Sequence, residues 1–261
     1  MEYSVKKSAD GLIKIISQNF ISVIIPTKGE KHAVCVSCQI GCPVRCKFCR
    51  SRSIKFRRNL SAEEIVNQVE IAKNIIEKTP TSIIFMGIGE PTLNLKNVLE
   101  AAEEIHRKFS ISYNRITIST SGFPNIKNLE KVPFNVAVSL HSPFDKIRKN
   151  LIPNTISIRK ILNFSNKYCD FHHKKSYVMI EYSLIKDVND SEKDLRKLLS
   201  YKWHKRTLFN LIEFNDYENF KGSPEERILR FKEEIIKAGF KCFIRKSRGQ
   251  DIGASCGMLE F

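Results

Sequence analysis

The sequence predicts an α/β protein, with six strand–helix units forming a partial (β/α)6 barrel of the TIM type behind a small N-terminal β-extension. Three observations carry this. Short apolar runs alternate with amphipathic stretches, the pattern of parallel strands joined by right-handed crossovers. Glycine- and hydroxyl-rich motifs fall directly after the apolar runs, where such barrels gather their chemistry. Five of the eight cysteines stand within fifteen residues near the start of the first unit.

In chain order, residues 12–16 and 20–25 alternate as a β-hairpin stopped by Pro26 and Gly29. They place the extension at residues 1–31 and the core at 32–261. Residues 33–37 form the first core strand, leading into the cysteines. Ser61-Ala-Glu-Glu64 reads as a capping box opening a helix to about Lys78. Strands follow at 82–86, 115–119, 135–140, 177–185 and 208–212, with a last one at 241–245. Helical patterns between them cover 95–109, 125–130, 157–168 and 191–201. A final helix opens at Ser223 with Pro224 at its first position and is ended by Gly239.

Composition narrows the function classes. The chain carries 44 Lys and Arg against 28 Asp and Glu, a formal charge of +16, which favours polyanionic partners. No run approaches the ~18 apolar residues of a membrane span. Residues 1–7 contain no apolar signal region, and Glu2 and Asp10 oppose a transit peptide. A soluble, cytoplasmic protein with reduced thiols is expected, in contact with no membrane.

Cys42-Pro-Val-Arg-Cys46-Lys-Phe-Cys49 sets three thiols in a Cys-x3-Cys-x2-Cys array. In a reducing compartment so dense a cluster points to metal ligation rather than disulfides. Structural zinc and electron-transfer 4Fe-4S sites take four ligands, whereas three would leave one iron open. A zinc knuckle completed by Cys35 or Cys38 stays open as the competing account. Basic residues follow at once: Lys47, Arg50, Arg52, Lys55, Arg57 and Arg58. At later strand ends stand Gly87-Ile-Gly89-Glu90-Pro91, Ser119-Thr-Ser121-Gly122 and Ser139-Leu140-His141. Glycines there admit a close ligand, and the hydroxyls and imidazole can hold its polar groups. Cys169 and Cys242 read as core thiols, and His172 and His173 as a solvated turn.

The triad, with aromatic Phe48 before its last cysteine, is similar to the radical S-adenosylmethionine signature. The wider set resembles the RNA adenine methyltransferases acting at C2 or C8, the RlmN/Cfr family. It comprises Cys35-Val-Ser-Cys-Gln-Ile-Gly-Cys42, Phe85-Met-Gly-Ile-Gly-Glu-Pro-Thr-Leu-Asn94, Ile118-Ser-Thr-Ser-Gly122, Val138-Ser-Leu-His141, Glu181-Tyr182, Val188-Asn-Asp190, Asn210-Leu-Ile-Glu-Phe-Asn215 and Arg245-Lys-Ser-Arg-Gly-Gln-Asp-Ile-Gly-Ala-Ser-Cys256-Gly. The match runs from about Val23 to Leu259 in unbroken order.

The resemblance implies a barrel of the radical SAM type and assigns roles at matching positions. Cys42, Cys46 and Cys49 would bind a 4Fe-4S cluster. Gly89, Glu90, Ser119, Ser139, Leu140, His141 and Asn215 would surround S-adenosylmethionine. Cys256 would carry a methyl group as S-methylcysteine, and Cys35 would resolve the covalent RNA adduct through a disulfide. The substrate would be an adenine of ribosomal or transfer RNA, with C2 the favoured carbon, drawn from its stack. The basic residues after the triad would hold RNA backbone, and flavodoxin or ferredoxin would donate the electron. A radical SAM enzyme acting elsewhere on RNA or on a non-RNA substrate, and a non-catalytic iron–sulfur RNA-binding protein, remain alternatives. The chain departs from the family in three places. It reads as a short form without the accessory helical domain, Cys38 replaces the usual serine, and Ser22 aligns with the glutamate assigned as proton acceptor.

Overall fold

The computed structural model describes residues 2–172 and 177–261. Met1 and His173 lie outside the described residues. Two compact units divide the chain: Met1–Arg45 with Cys49–Ser119 and Arg248–Phe261, and Cys46–Phe48 with Thr120–Ser247.

The first unit opens as an antiparallel meander of β1 (Tyr3–Lys7), β2 (Ile13–Ser17), β3 (Ile21–Thr27) and β4 (Lys31–Val36). The predicted hairpin is there as β2 and β3, and β1 is an addition. Every residue of β1 is exposed, so the alternation that marks a half-buried strand is missing from it. A small ladder of β5 (Gln39–Ile40) and β6 (Arg58–Asn59) brackets the cysteine loop. Helix α1 (Ala62–Ile76) begins at the expected capping box, the Glu64 N–H reaching Ser61 Oγ at 3.1 Å and the Ser61 N–H reaching Glu64 Oε2 at 2.9 Å. Strand β7 (Ser82–Phe85) pairs in parallel with β4, and β8 (Ile116–Thr120) in parallel with β7, while α2 (Leu95–Phe109) connects them. Buried Gln68 of α1 ties the helix to β4's end, accepting from the Ser37 N–H at 2.9 Å and donating to its carbonyl at 2.8 Å.

Residues 248–261 return to the meander, far from their sequence neighbours. Arg248 donates to the Pro26 carbonyl, the Gly249 N–H to Asp10 Oδ2 and Ser8 Oγ to Asp251 Oδ1, at 2.8, 2.9 and 2.5 Å. Ala254 and Leu259 thereby close an apolar cluster of Leu12, Ile21, Val23, Cys35 and Ile88.

In the second unit β9 (Asn135–Ser139), β10 (Val178–Leu184), β11 (Leu208–Glu213) and β12 (Lys241–Arg245) run parallel in consecutive order. The connections carry α3 (Asp145–Leu151), α4 (Ile158–Phe171), α5 (Glu192–Leu199) and α6 (Glu225–Lys237). Helix α3 is an addition to the sequence prediction. Pro224 caps α6 rather than occupying its first turn. Cys169 and Cys242 are buried, as expected of core thiols. His172 is half-buried with its ring 4.4 Å from that of Tyr168, which corrects the solvated reading for that residue. No helix among the described residues is long and apolar enough to cross a membrane.

Candidate functional site

In the first unit the cysteine loop leaves β5 and turns at Gly41, where φ is +74°. An added Cβ there would lie 2.4 Å from the Lys55 carbonyl oxygen, so glycine lets the two backbones touch. Cys42 and Cys49 belong to this unit and Cys46 to the other. All eight cysteines are thiols outside any disulfide. Burial pushes the Cys42 thiol up to about 12 and raises Cys49 as well. Against this, the backbone N–H groups of Val44 and Arg45 lower Cys42, and that of Ser51 lowers Cys49. Donors aimed at buried sulfur favour thiolate, and a bound metal displaces the proton outright. The donor set therefore suits an iron–sulfur cluster. Among the described residues no three His, Cys, Asp or Glu side chains converge as on a single ion. A four-iron cluster has a different requirement, since each thiolate binds its own iron.

Gly89, at φ +116°, sits so close to Cys38 that a Cβ would meet its sulfur at 2.8 Å. This accounts for Cys38, which is 3% exposed and fills the space behind Gly89. Burial raises its pKa well above the ordinary thiol value, with Glu90 and Cys42 adding to the effect. Glu90 is buried, its N–H donating to Gln39 Oε1 at 2.8 Å and its carboxylate accepting from the Thr92 N–H and hydroxyl at 3.1 and 2.7 Å. Ser119 is buried at the end of β8.

Cys256 lies on the returning segment, which is pinned beside the cysteine loop. The Arg50 N–H donates to the Gly257 carbonyl at 2.8 Å, Ser51 Oγ to that of Leu259 at 2.9 Å, and Lys14 to that of Glu260 at 2.9 Å. The Arg50 guanidinium meets the Glu260 carboxylate at 2.6 Å. The Cys256 thiol donates to the Met86 sulfur at 3.8 Å, and it is near enough to Cys49 to raise that thiol's pKa. Met86 in turn packs against the cluster that buries Cys35. Met86 thus touches the Cys256 thiol and also borders the cluster to which Cys35 belongs. Ile21 and Val23 pack with Cys35, so alternation along β3 turns Ser22 to the opposite face. There its hydroxyl is buried without a hydrogen-bond partner. Ile21 and Val23, rather than Ser22, are the β3 residues on the Cys35 side, and neither is a base.

In the second unit Ser139 ends β9, and Leu140 and then His141, with φ +53°, follow it. Its Nδ1 accepts the Ser183 N–H at 3.0 Å, and its carbonyl accepts from buried Asn189 at 2.6 Å. Burial, with nearby Arg148, holds the imidazole down to about 3. It is neutral at every physiological pH, with the proton on Nε2. Phe48 of the cysteine loop sets its ring edge-on to His141 at 4.9 Å. Asn215 accepts from the Ser247 hydroxyl.

Sequence reasoning missed Arg148. It is fully buried on α3 and gathers the carbonyls of Ser121, Ser139 and Ile156 at 2.5, 3.1 and 3.1 Å, together with the Thr155 hydroxyl. One guanidinium thereby fixes two of the loops singled out as ligand-bearing. Only the placement of α3 reveals it, since the sequence offers an ordinary Lys/Arg-rich stretch. Arg148→Met is expected to lose at least roughly 3 kcal/mol of stability, because several buried acceptors lose a charged donor together. Arg148→Lys should recover little, an ammonium being unable to fork among them. An unchanged denaturation midpoint in Arg148→Met would contradict this.

The Radical SAM superfamily profile matches residues 36–199. The dual-specificity RNA methyltransferase RlmN of Buchnera aphidicola subsp. Schizaphis graminum (strain Sg) is 39% identical over 272 residues, spanning 97% of this chain and 75% of that protein. The dual-specificity RNA methyltransferase RlmN of Helicobacter hepaticus (strain ATCC 51449 / 3B1) is 43% identical over 245 residues, spanning 89% of this chain and 66% of that one. The crystal structure of a radical SAM methyltransferase from Sphaerobacter thermophilus superposes with a TM-score of 0.88 at 32% identity, covering 98% of this chain and 80% of that one.

Proposed function

The chain belongs to the RlmN family of RNA methyltransferases within the radical SAM superfamily, and on that premise we propose that it methylates C2 of an adenine in ribosomal or transfer RNA through S-methylcysteine at Cys256. The observation that carries this reading is Cys256 against Met86, beside the cluster that buries Cys35 and close to Cys49.

Adenine C2 is an electron-poor ring carbon, poorly suited to receiving a methyl cation. When bound, the 4Fe-4S cluster and S-adenosylmethionine supply the methyl group and a carbon radical able to take hydrogen from it. Cys42, Cys46 and Cys49 would hold the cluster as thiolates. Gly89, Glu90 and Ser119 of the first unit are assigned to S-adenosylmethionine, as are Ser139, Leu140, His141 and Asn215 of the second. Buried Glu90 is suited to a cationic amine, and the neutral His141 Nε2–H to a polar acceptor.

Cys256 Sγ loses its proton and would take the methyl group from one S-adenosylmethionine, leaving S-adenosylhomocysteine, while a second molecule would furnish the carbon radical. After that group has lost a hydrogen atom, its carbon bonds to C2 and joins protein to RNA. The hydrogen at C2 leaves as a proton, and the one surplus electron would return to the bound cluster. The Cys35 thiolate then attacks Cys256 Sγ, and the sulfur–carbon bond breaks as the disulfide forms. Its electron pair passes to the released carbon, which takes a proton and becomes the methyl group. External thiols return two electrons to the disulfide, and a low-potential donor such as flavodoxin or ferredoxin supplies the cluster. An RNA substrate and such a donor suit the cytoplasm.

The test is mass spectrometry of nucleosides from transfer and ribosomal RNA incubated anaerobically with reconstituted protein, reductant and methyl-deuterated S-adenosylmethionine. Labelled 2-methyladenosine is expected. Label at another position would refute the C2 assignment, and 5′-deoxyadenosine without labelled RNA would refute the substrate.

A further inference from the structure

Of the six cations from Lys47 to Arg58, several are already engaged. Arg50 is paired with Glu260, and Lys47 donates to Asn150 Oδ1 at 2.5 Å. Arg58 is held by both oxygens of Glu64, at 2.7 and 2.8 Å. Lys55 and Arg57 have no side-chain partner among the described residues, and both are exposed. Between them stands Phe56, 39% exposed, a large apolar side chain in water beside two uncommitted charges.

This triplet is held in place. The Arg57 N–H donates to the Ile40 carbonyl at 2.8 Å, and the Leu60 N–H to that of Cys38 at 3.0 Å. The β5–β6 ladder pairs Ile40 with Arg58, and the Lys55–Phe56 backbone runs directly over Gly41. Asn59 continues the link inward, its Oδ1 accepting from Gln39 Nε2 at 2.8 Å while Gln39 Oε1 accepts from the Glu90 N–H. An aromatic and two cations are thus fixed against the loop bearing Cys42.

Resting on the RNA reading above, we propose that Phe56, Lys55 and Arg57 form a platform for unpaired RNA, with one base stacked on the Phe56 ring and the adjoining phosphates on the two cations. Exposed aromatics flanked by cations are the chemistry that holds single strands, because every base has a face to stack and every nucleotide a phosphate. Such contacts read no sequence. That suits an enzyme whose relatives are named for dual specificity, since two RNAs of different sequence can share one grip. Drawing the target adenine from its stack leaves a neighbouring base unstacked on one side, and Phe56 offers it a replacement partner.

The test measures equilibrium binding of the cluster-loaded protein to a fluorescent transfer-RNA stem-loop at several salt concentrations. Stacking is worth roughly 1–3 kcal/mol per base, so Phe56→Ala is expected to weaken binding about 5- to 150-fold. Phe56→Trp should bind as wild type. Lys55→Ala with Arg57→Ala should flatten the slope of log affinity against log salt by roughly 1.5, while Arg159→Ala with Lys160→Ala on α4 should change it by less. Iron content and thermal midpoint verify that each variant is folded. Wild-type binding with Phe56→Ala unchanged overturns the platform alone. Wild type failing to bind RNA overturns the substrate reading, and the platform with it.

Discussion

Replacing Cys256 by alanine is expected to abolish methyl transfer while leaving iron content and fold intact. The side chain is half-buried, and its sulfur meets that of Met86 at 3.8 Å, so truncation removes little packing. It does remove the one atom assigned to carry the methyl group, and a serine oxygen would not replace it. Cys35→Ala should fail differently. Methyl loading and carbon–carbon bond formation need only Cys256, so this variant should halt with RNA bonded to protein, visible as a band that survives denaturation. Cys35 is buried at 6% exposure in the cluster with Leu12, Ile21 and Val23, which shields its sulfur from solvent. A Cys256→Ala variant that still methylates RNA would eliminate the mechanism. A Cys35→Ala variant that turns over without adduct would remove Cys35 from it.

Gly41→Ala is expected to cost roughly 2–5 kcal/mol and with it much of the bound iron. A left-handed backbone costs a residue with a Cβ about 1–2 kcal/mol. The new carbon would also overlap the Lys55 carbonyl and the Phe56 nitrogen, at 2.4 and 2.7 Å. These are backbone atoms within the β5–β6 hairpin, unable to rotate away, and forcing them apart adds about 1–3 kcal/mol. The displacement falls one residue before Cys42. Gly29→Ala is the control: its φ is +69°, yet nothing lies within 4 Å of an added Cβ. It should show the conformational cost alone, about 1–2 kcal/mol, and retain full iron. Equal thermal midpoints and iron contents in the two variants would show that the overlap at Gly41 carries no weight.

What could be read from the sequence were the features written over short stretches. The capping boxes at Ser61 and Ser191, the alternation of strands and helices, and the cysteine triad each depend on residues a few positions apart. What could not be read depends on register and on distant partners. Strand β1 has no buried face and so no pattern. Arg148 looks like any surface cation until α3 carries it against three carbonyls. Ser22 aligned with a catalytic position, but the β3–β4 register pairs Val23 with Cys35, and the serine faces away. Cys38 looked like a spare ligand, and its reason is steric: it fills the space left by a glycine fifty residues on.

The closure of the Cys35 cluster by Ala254 and Leu259 has a consequence for how the chain is made. Asp10 meets the Gly249 N–H, 239 positions later, and Lys14 meets the Glu260 carbonyl, 246 positions later. A ribosome adding about 5–20 residues per second would release the meander many seconds before these partners exist. The stretch from Thr120 to Ser247 is continuous and can complete its own parallel ladder while the earlier unit waits. Until residues 248–261 emerge, the nascent chain displays Leu12, Ile21 and the Cys35 thiol to solvent, a hydrophobic and oxidisable surface for a chaperone to shield.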